Sequence, residues 1–224
     1  MKRSRRVFLK NSLAASAAVS IGGILPGFSA KSYARIAGAN ERIQVAIMGV
    51  NARGLALAQN FSSQKNCEVI YISDVDSRAM DKCVDTVTKI QHSAPKTAGD
   101  FRKALEDKAV EAMIIATPDH WHAPAAILSC KAGKHVYVEK PCSHNPREGE
   151  LLVAAAQKYK RKVQMGSQRR SWPNVIQAIQ EVKDGAIGRA YYGKGWYANN
   201  RPSIGTGTKT AIPSWLNYEL WQGP

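Results

Sequence analysis

The sequence predicts an α/β protein built on a doubly wound parallel-sheet domain, followed by the start of a second domain. Three observations carry that expectation. Short apolar runs alternate with amphipathic helical patterns from residue 42 to about residue 184. The first run ends in a glycine-rich turn, Gly49-Val50-Asn51-Ala52-Arg53-Gly54. Polar clusters follow the carboxyl ends of several runs, the edge at which open α/β sheets take their ligands.

Taken in order, residues 43–48 are short and largely apolar, as a strand buried on both faces requires. Residues 54–61 continue as an amphipathic helix, and a second strand and helix are predicted over 68–73 and 76–90. A weak third strand lies at 96–98 and a short helix at 101–106. The fourth strand, 112–117, is strongly apolar. The helix at 122–131 carries Pro124 in its first turn and Gly133 just past its end. Strand 135–139, helix 146–159, strand 162–165 and helix 173–183 complete the series. Alternation at this spacing calls for parallel strands joined by right-handed crossovers.

After Gly188 the texture changes. Residues 189–198 read as one extended, aromatic-rich run, and 199–224 hold no periodic element longer than a turn. One strand and a long loop cannot build a core, so the chain reads as truncated. Its last segment is expected to lack partners and to leave Trp196, Trp215 and Trp221 exposed. The expected organisation is a separate first segment over 1–39, the doubly wound domain over 40–167 and an incomplete second domain over 168–224.

The net charge of +15 suggests nucleic acid until it is located. Residues 1–39 hold seven Lys and Arg and no acid, which leaves 25 basic against 17 acidic residues elsewhere. That excess is dispersed, and the run Lys158-Tyr159-Lys160-Arg161-Lys162 is read as a solvated helix end, so no nucleic-acid partner is expected. Cys67, Cys83, Cys130 and Cys142 show neither C-x-x-C pairing nor histidines at zinc spacing, and are read as free thiols with no metal.

Ser4-Arg5-Arg6-Val7-Phe8-Leu9-Lys10 matches the twin-arginine export signature. The apolar stretch after it, 13–25, is too short and too rich in Gly and Ser to serve as a stable membrane anchor. Small residues at Ser32 and Ala34, or Ala37 and Ala39, suit signal peptidase. The expectation is passage of folded protein through the twin-arginine machinery into the periplasm.

The glycine-rich turn sits where G-x-G-x-x-G belongs: Gly49 for the tight turn, Gly54 for close helix–strand contact, helix amides facing a pyrophosphate. Asn51 stands at the middle glycine's place, as a residue that tolerates positive φ. Asp74 ends the second strand, where a carboxylate accepts from ribose hydroxyls and repels a 2′-phosphate, or else caps the helix near Asp76. Arg78 nearby offers a 2′-phosphate a cation. The fourth strand runs into Ala116-Thr117-Pro118-Asp119-His120-Trp121-His122, the fifth into Glu139-Lys140-Pro141 and the sixth into Gln168-Arg169-Arg170. His120 and His122 are equally well read as capping and packing residues.

In combination, Asp100-Phe101-Arg102 with Leu105, I-I-A-T-P-D-H-W-H-A (114–123), A-G-K-H-V-Y-V-E-K-P (132–141) and Trp221-x-Gly223-Pro224 resemble the Gfo/Idh/MocA oxidoreductases over 42–224. The resemblance implies a Rossmann domain binding NAD, with NADP possible, and a following α+β domain with a large open sheet. It implies that Lys140 reaches the substrate hydroxyl and the nicotinamide as a catalytic residue. Glu139 would hold the nicotinamide ribose, Thr117 and Pro118 line the cofactor, and His122 lie near it. Gln168 and Arg169 would face substrate. The family's Asp/His pair lies on a second-domain helix, and no D-x-x-x-H pattern occurs here after residue 165.

The expected activity is NAD(P)-dependent oxidation of a sugar or polyol hydroxyl with tightly held cofactor, in a protein that is homo-oligomeric when intact. A glycoside-cleaving enzyme of the same family, or a non-catalytic sugar or nucleotide binder on the same fold, are the alternatives.

Overall fold

Six parallel strands form one sheet in the order β3-β2-β1-β4-β5-β6. They are β1 Ile43–Met48, β2 Cys67–Ser73, β3 Lys96–Ala98, β4 Ala112–Ile115, β5 His135–Glu139 and β6 Val163–Gly166. The computed structural model describes residues 42–198 and 200–224. The export signature and its cleavage sites lie outside the described residues.

Apolar, mostly β-branched runs become strands here because both sheet faces are covered. Val45, Ala46 and Ile47 of β1 are almost wholly buried, as are Met113, Ile114 and Ile115 of β4. On one face Val45, Ile47, Val69 and Ile72 pack under helices α1 (Ala52–Ser62) and α2 (Ser77–Gln91). Between α2 and β4 the chain adds β3 and the short helix α3 (Arg102–Glu106). On the other face Ala46, Met48, Met113 and Val138 pack under α4 (His122–Lys131) and α5 (Pro146–Lys158).

Local chemistry sets the helix ends. Asp76 caps α2 by accepting from the Arg78 and Ala79 amides. Asn145 caps α5 by accepting from the Glu148 amide, Pro146 takes the first helical position, and Glu148 accepts in return from the His144 amide.

After β6 the chain departs from the sheet. Helix α6 (Pro173–Lys183) buries none of its residues, and Ile176 and Ile179 remain exposed. The run 189–198, expected to extend as a strand, joins no β-ladder among the described residues. Trp196 there is exposed, as expected. The end of the chain behaves differently from the expectation: residues 213–223 fold back and include a short helix, α7 (Tyr218–Gln222).

Candidate functional site

β1 and β4 are neighbours, and the chain winds away from them in opposite directions. Their carboxyl ends therefore diverge and open a crevice, the position where such sheets bind ligands. Gly49 enters it with φ +78°, and a Cβ there would sit 2.6 Å from the Thr117 nitrogen. A Cβ on Gly54 would lie 1.7 Å from the Gly49 carbonyl oxygen, so the helix start admits no side chain at that point. Asn51, expected to tolerate positive φ, does not use that freedom. It sits at φ −76°, capping α1, and its side-chain oxygen accepts from the Ala52 amide.

Asp74 braces this turn. One carboxylate oxygen accepts from the Val50 amide at 2.6 Å and the other from the Asp76 amide at 3.0 Å. Asp76, not Asp74, is the helix cap. Asp76 also takes the Arg78 guanidinium at 2.9 Å, and this hydrogen bond chiefly holds its carboxyl below the usual range.

Across the crevice, the end of β5 is tied to the glycine-rich turn. Arg53 Nε donates to Glu139 Oε1 at 2.7 Å, and this bond raises the guanidinium above its ordinary value. Burial, and then the Glu139 charge, push the neighbouring Tyr137 phenol up. His122 is buried, with one ring nitrogen against the Thr117 carbonyl at 2.8 Å and the other against the Pro141 carbonyl. It thus staples the loop after β4 to the loop after β5. Lys140 is exposed, and its ammonium makes no hydrogen bond or ion pair among the described residues.

The crevice encloses about 530 Å³, a size suited to a cofactor or a drug-sized ligand. Gly49, Asn51, Asp74, Thr117 and Pro118 line it. The Thr117 hydroxyl is buried without a partner among the described residues, which a bound ligand would remedy. Trp215, Leu216, Leu220 and Trp221 line the same space, which overturns the expectation that the end of the chain lacks partners. The Ser77 amide donates to the Trp215 carbonyl, and the Asn217 amide to the Val75 carbonyl, both at 3.0 Å. Trp215 is half-buried under Arg78, whose guanidinium carbon lies 3.2 Å from the ring centroid. Trp221 stays 45% exposed.

Residues 43–167 match the profile of an oxidoreductase family with an NAD-binding Rossmann fold, Gfo/Idh/MocA. The chain belongs to that family. A glycosyl hydrolase family 109 protein of Saccharopolyspora erythraea is 30% identical over 212 residues, 88% of this chain and 46% of that protein. An alpha-N-acetylgalactosaminidase of Shewanella oneidensis is 26% identical over 208 residues, covering 86% and 45%. The chain thus spans about half the length of these relatives. Scyllo-inositol dehydrogenase of Lactobacillus casei, solved with NAD(H) and scyllo-inositol, superposes with TM-score 0.59 at 23% identity, covering 66% of this chain and 42% of that one.

The residues expected to form the site of this Gfo/Idh/MocA domain fall into three groups. Gly49, Asn51, Asp74, Thr117 and Pro118 face the crevice directly. Gly54, His122 and Glu139 stand behind it and hold its walls. Lys140 lies on the exposed loop past β5 and Gln168 and Arg169 on an exposed 3-10 turn past β6, where the Arg169 guanidinium lies 5.6 Å from the Trp172 ring centroid. Sequence reasoning missed Arg53, the cap Asp76 and the whole of 213–223. The Trp221-x-Gly223-Pro224 motif was the one signal for that segment.

Proposed function

We propose that this chain is the cofactor-binding part of a periplasmic, NAD-dependent oxidoreductase that acts on a sugar or polyol hydroxyl. The observation that carries the proposal is the shared edge: the crevice, Glu139 and Lys140 all lie at the carboxyl ends of adjacent strands. NAD, when bound, supplies the hydride acceptor. Asp74 would take the adenosine ribose, and the amides of the Gly49 turn and the α1 start the pyrophosphate. Glu139, fixed by Arg53, would hold the nicotinamide ribose. Lys140 Nζ would take the proton from the substrate hydroxyl. Gln168 and Arg169 would face the sugar. Arg78 is already engaged by Asp76 and Trp215, and Arg53 by Glu139, so the crevice presents Asp74, Asp76 and Asp100 and no unpaired guanidinium to a 2′-phosphate. The domain boundaries proposed for this arrangement are 40–167 for the cofactor part and 168 onward for substrate.

A second reading is a glycosidase that oxidises the sugar, eliminates the aglycone, adds water and reduces the carbonyl back. The names of the relatives from Saccharopolyspora and Shewanella favour it. One experiment separates the two. The full-length protein is supplied with free sugars, and separately with p-nitrophenyl glycosides, while NADH absorbance and nitrophenol release are followed. Steady NADH formation supports the dehydrogenase. Nitrophenol release without net NADH supports the glycosidase. Loss of either activity in Lys140→Met, with NAD binding kept, supports the proton-transfer role. NAD binding with neither activity supports a binding protein.

A further inference from the structure

The loop after β2 and the loop after β4 form the two walls of the crevice on its Asp74 side. Residues 213–223 cross from one to the other. At the first wall Leu216 pairs antiparallel with Asp76, flanked by the Ser77–Trp215 and Asn217–Val75 backbone bonds. At the second, Trp121 Nε1 donates to the Leu220 carbonyl at 2.8 Å, and His120 Nε2 lies 3.0 Å from the Trp221 carbonyl. Gly223, at φ +80°, lets the chain lie against this wall: a Cβ there would meet His120 Cδ2 at 2.6 Å. Between the two walls the side chains of Trp215, Leu216, Leu220 and Trp221 turn toward the cavity.

We propose that residues 213–223 are a roof over the adenosine half of the NAD site, and that the Arg78–Trp215 stack and Gly223 set how slowly the cofactor leaves. Three features agree. The roof lies on the side of Asp74, where the adenosine ribose belongs in this fold. Its inner surface is aromatic and aliphatic, suited to the faces of a purine. Both ends are fastened by hydrogen bonds that must break before the roof lifts, so its main effect falls on dissociation. The proposal rests on the NAD site alone and not on the identity of the substrate.

The test uses the full-length holoprotein. NAD release is timed by chasing bound radiolabelled NAD with excess unlabelled NAD in the wild type, Trp215→Ala and Gly223→Ala. Both variants are expected to release NAD about tenfold faster or more. Nicotinamide mononucleotide, which lacks adenosine, is expected to bind all three proteins equally. Exchange of the Ser77 and Asn217 amides in the wild type should slow when NAD is added. Unchanged release from variants that keep the wild-type thermal midpoint overturns the roof. So does an equal weakening of the mononucleotide, which would mark a general disturbance. A wild type that binds no NAD at all would instead remove the site beneath it.

Discussion

Arg53 and Glu139 form an ion pair of 2.7 Å that joins the first turn of α1 to the last residue of β5. The Glu139 side chain is 6% exposed and the Arg53 side chain 40%, so the carboxylate depends on the pair more than the guanidinium does. Without Arg53, Glu139 is left with the Lys140 amide at 3.3 Å and the neighbouring Tyr137 hydroxyl. Arg53→Ala is expected to cost about 1–3 kcal/mol of stability, the usual loss when a buried group is left unsatisfied. NAD affinity should fall about tenfold, equivalent to ~1.4 kcal/mol. Calorimetry and fluorescence titration measure the two effects. Arg53→Lys should recover stability better than affinity, because a point charge does not reproduce the guanidinium fork.

Gly54 and Gly99 offer a matched pair of substitutions. A methyl group on Gly54 collides with the Gly49 carbonyl, while nothing lies within 4 Å of the corresponding position at Gly99. Gly54→Ala should destabilise by upwards of about 3 kcal/mol and abolish NAD binding, since the turn itself must move. Gly99→Ala should stay within about 0.5 kcal/mol of the wild type. Thermal unfolding of the two variants side by side decides it. Equal effects would show that the turn is more compliant than its geometry implies.

Asp74 both braces the Val50 amide and faces the crevice. The wild type is expected to bind NAD more tightly than NADP. Asp74→Ala should narrow that difference by about 1–2 kcal/mol, roughly a charge-assisted hydrogen bond. Titration with both dinucleotides reads it directly. Tighter NADP binding by the wild type would point to release of Arg78 from Asp76.

The buried thiols predict an alkaline limit to stability. Burial pushes Cys67 up to about 11 and Cys83 up to about 12 from an ordinary 9.0, and raises Cys130 in the same direction. Raised folded values mean that the stability they contribute is complete below pH 9 and is lost as pH climbs toward 11–12. Denaturant midpoints measured from pH 8 to 11 should therefore fall through the upper part of that range. Replacing Cys83 by Ala should flatten the decline. At pH 8 a thiol reagent should modify half-buried Cys142 first and the three buried thiols only on unfolding.

The sheet was legible because parallel strands buried on both faces must be continuously apolar. Ile43–Met48 and His135–Glu139 coincide with their expected limits for that reason. The glycine-rich turn was legible as spacing, but its middle residue was not. Whether Asn51 bends through positive φ or caps a helix depends on the chain around it, and that conformation has no signature in spacing. The roof was illegible for a different reason. Its bonds to Ser77, Val75 and Trp121 run mostly through backbone atoms to partners about a hundred or more residues earlier. Such contacts leave no local period, and Pro213-Ser214-Trp215-Leu216 reads as loop in isolation. The exposed face of α6, by contrast, carries apolar residues at helical spacing that nothing in the described residues covers.

The distance along the chain between the crevice and its roof also sets an order in time. A ribosome completes the sixth strand at Gly166 well before it reaches residue 213. At about 5–20 residues per second the gap amounts to roughly 2–10 s. For that interval the sheet, the glycine-rich turn and Asp74 can assemble around an open-topped crevice. A dinucleotide would then enter unobstructed, and residues 213–223 would close over it once they are made.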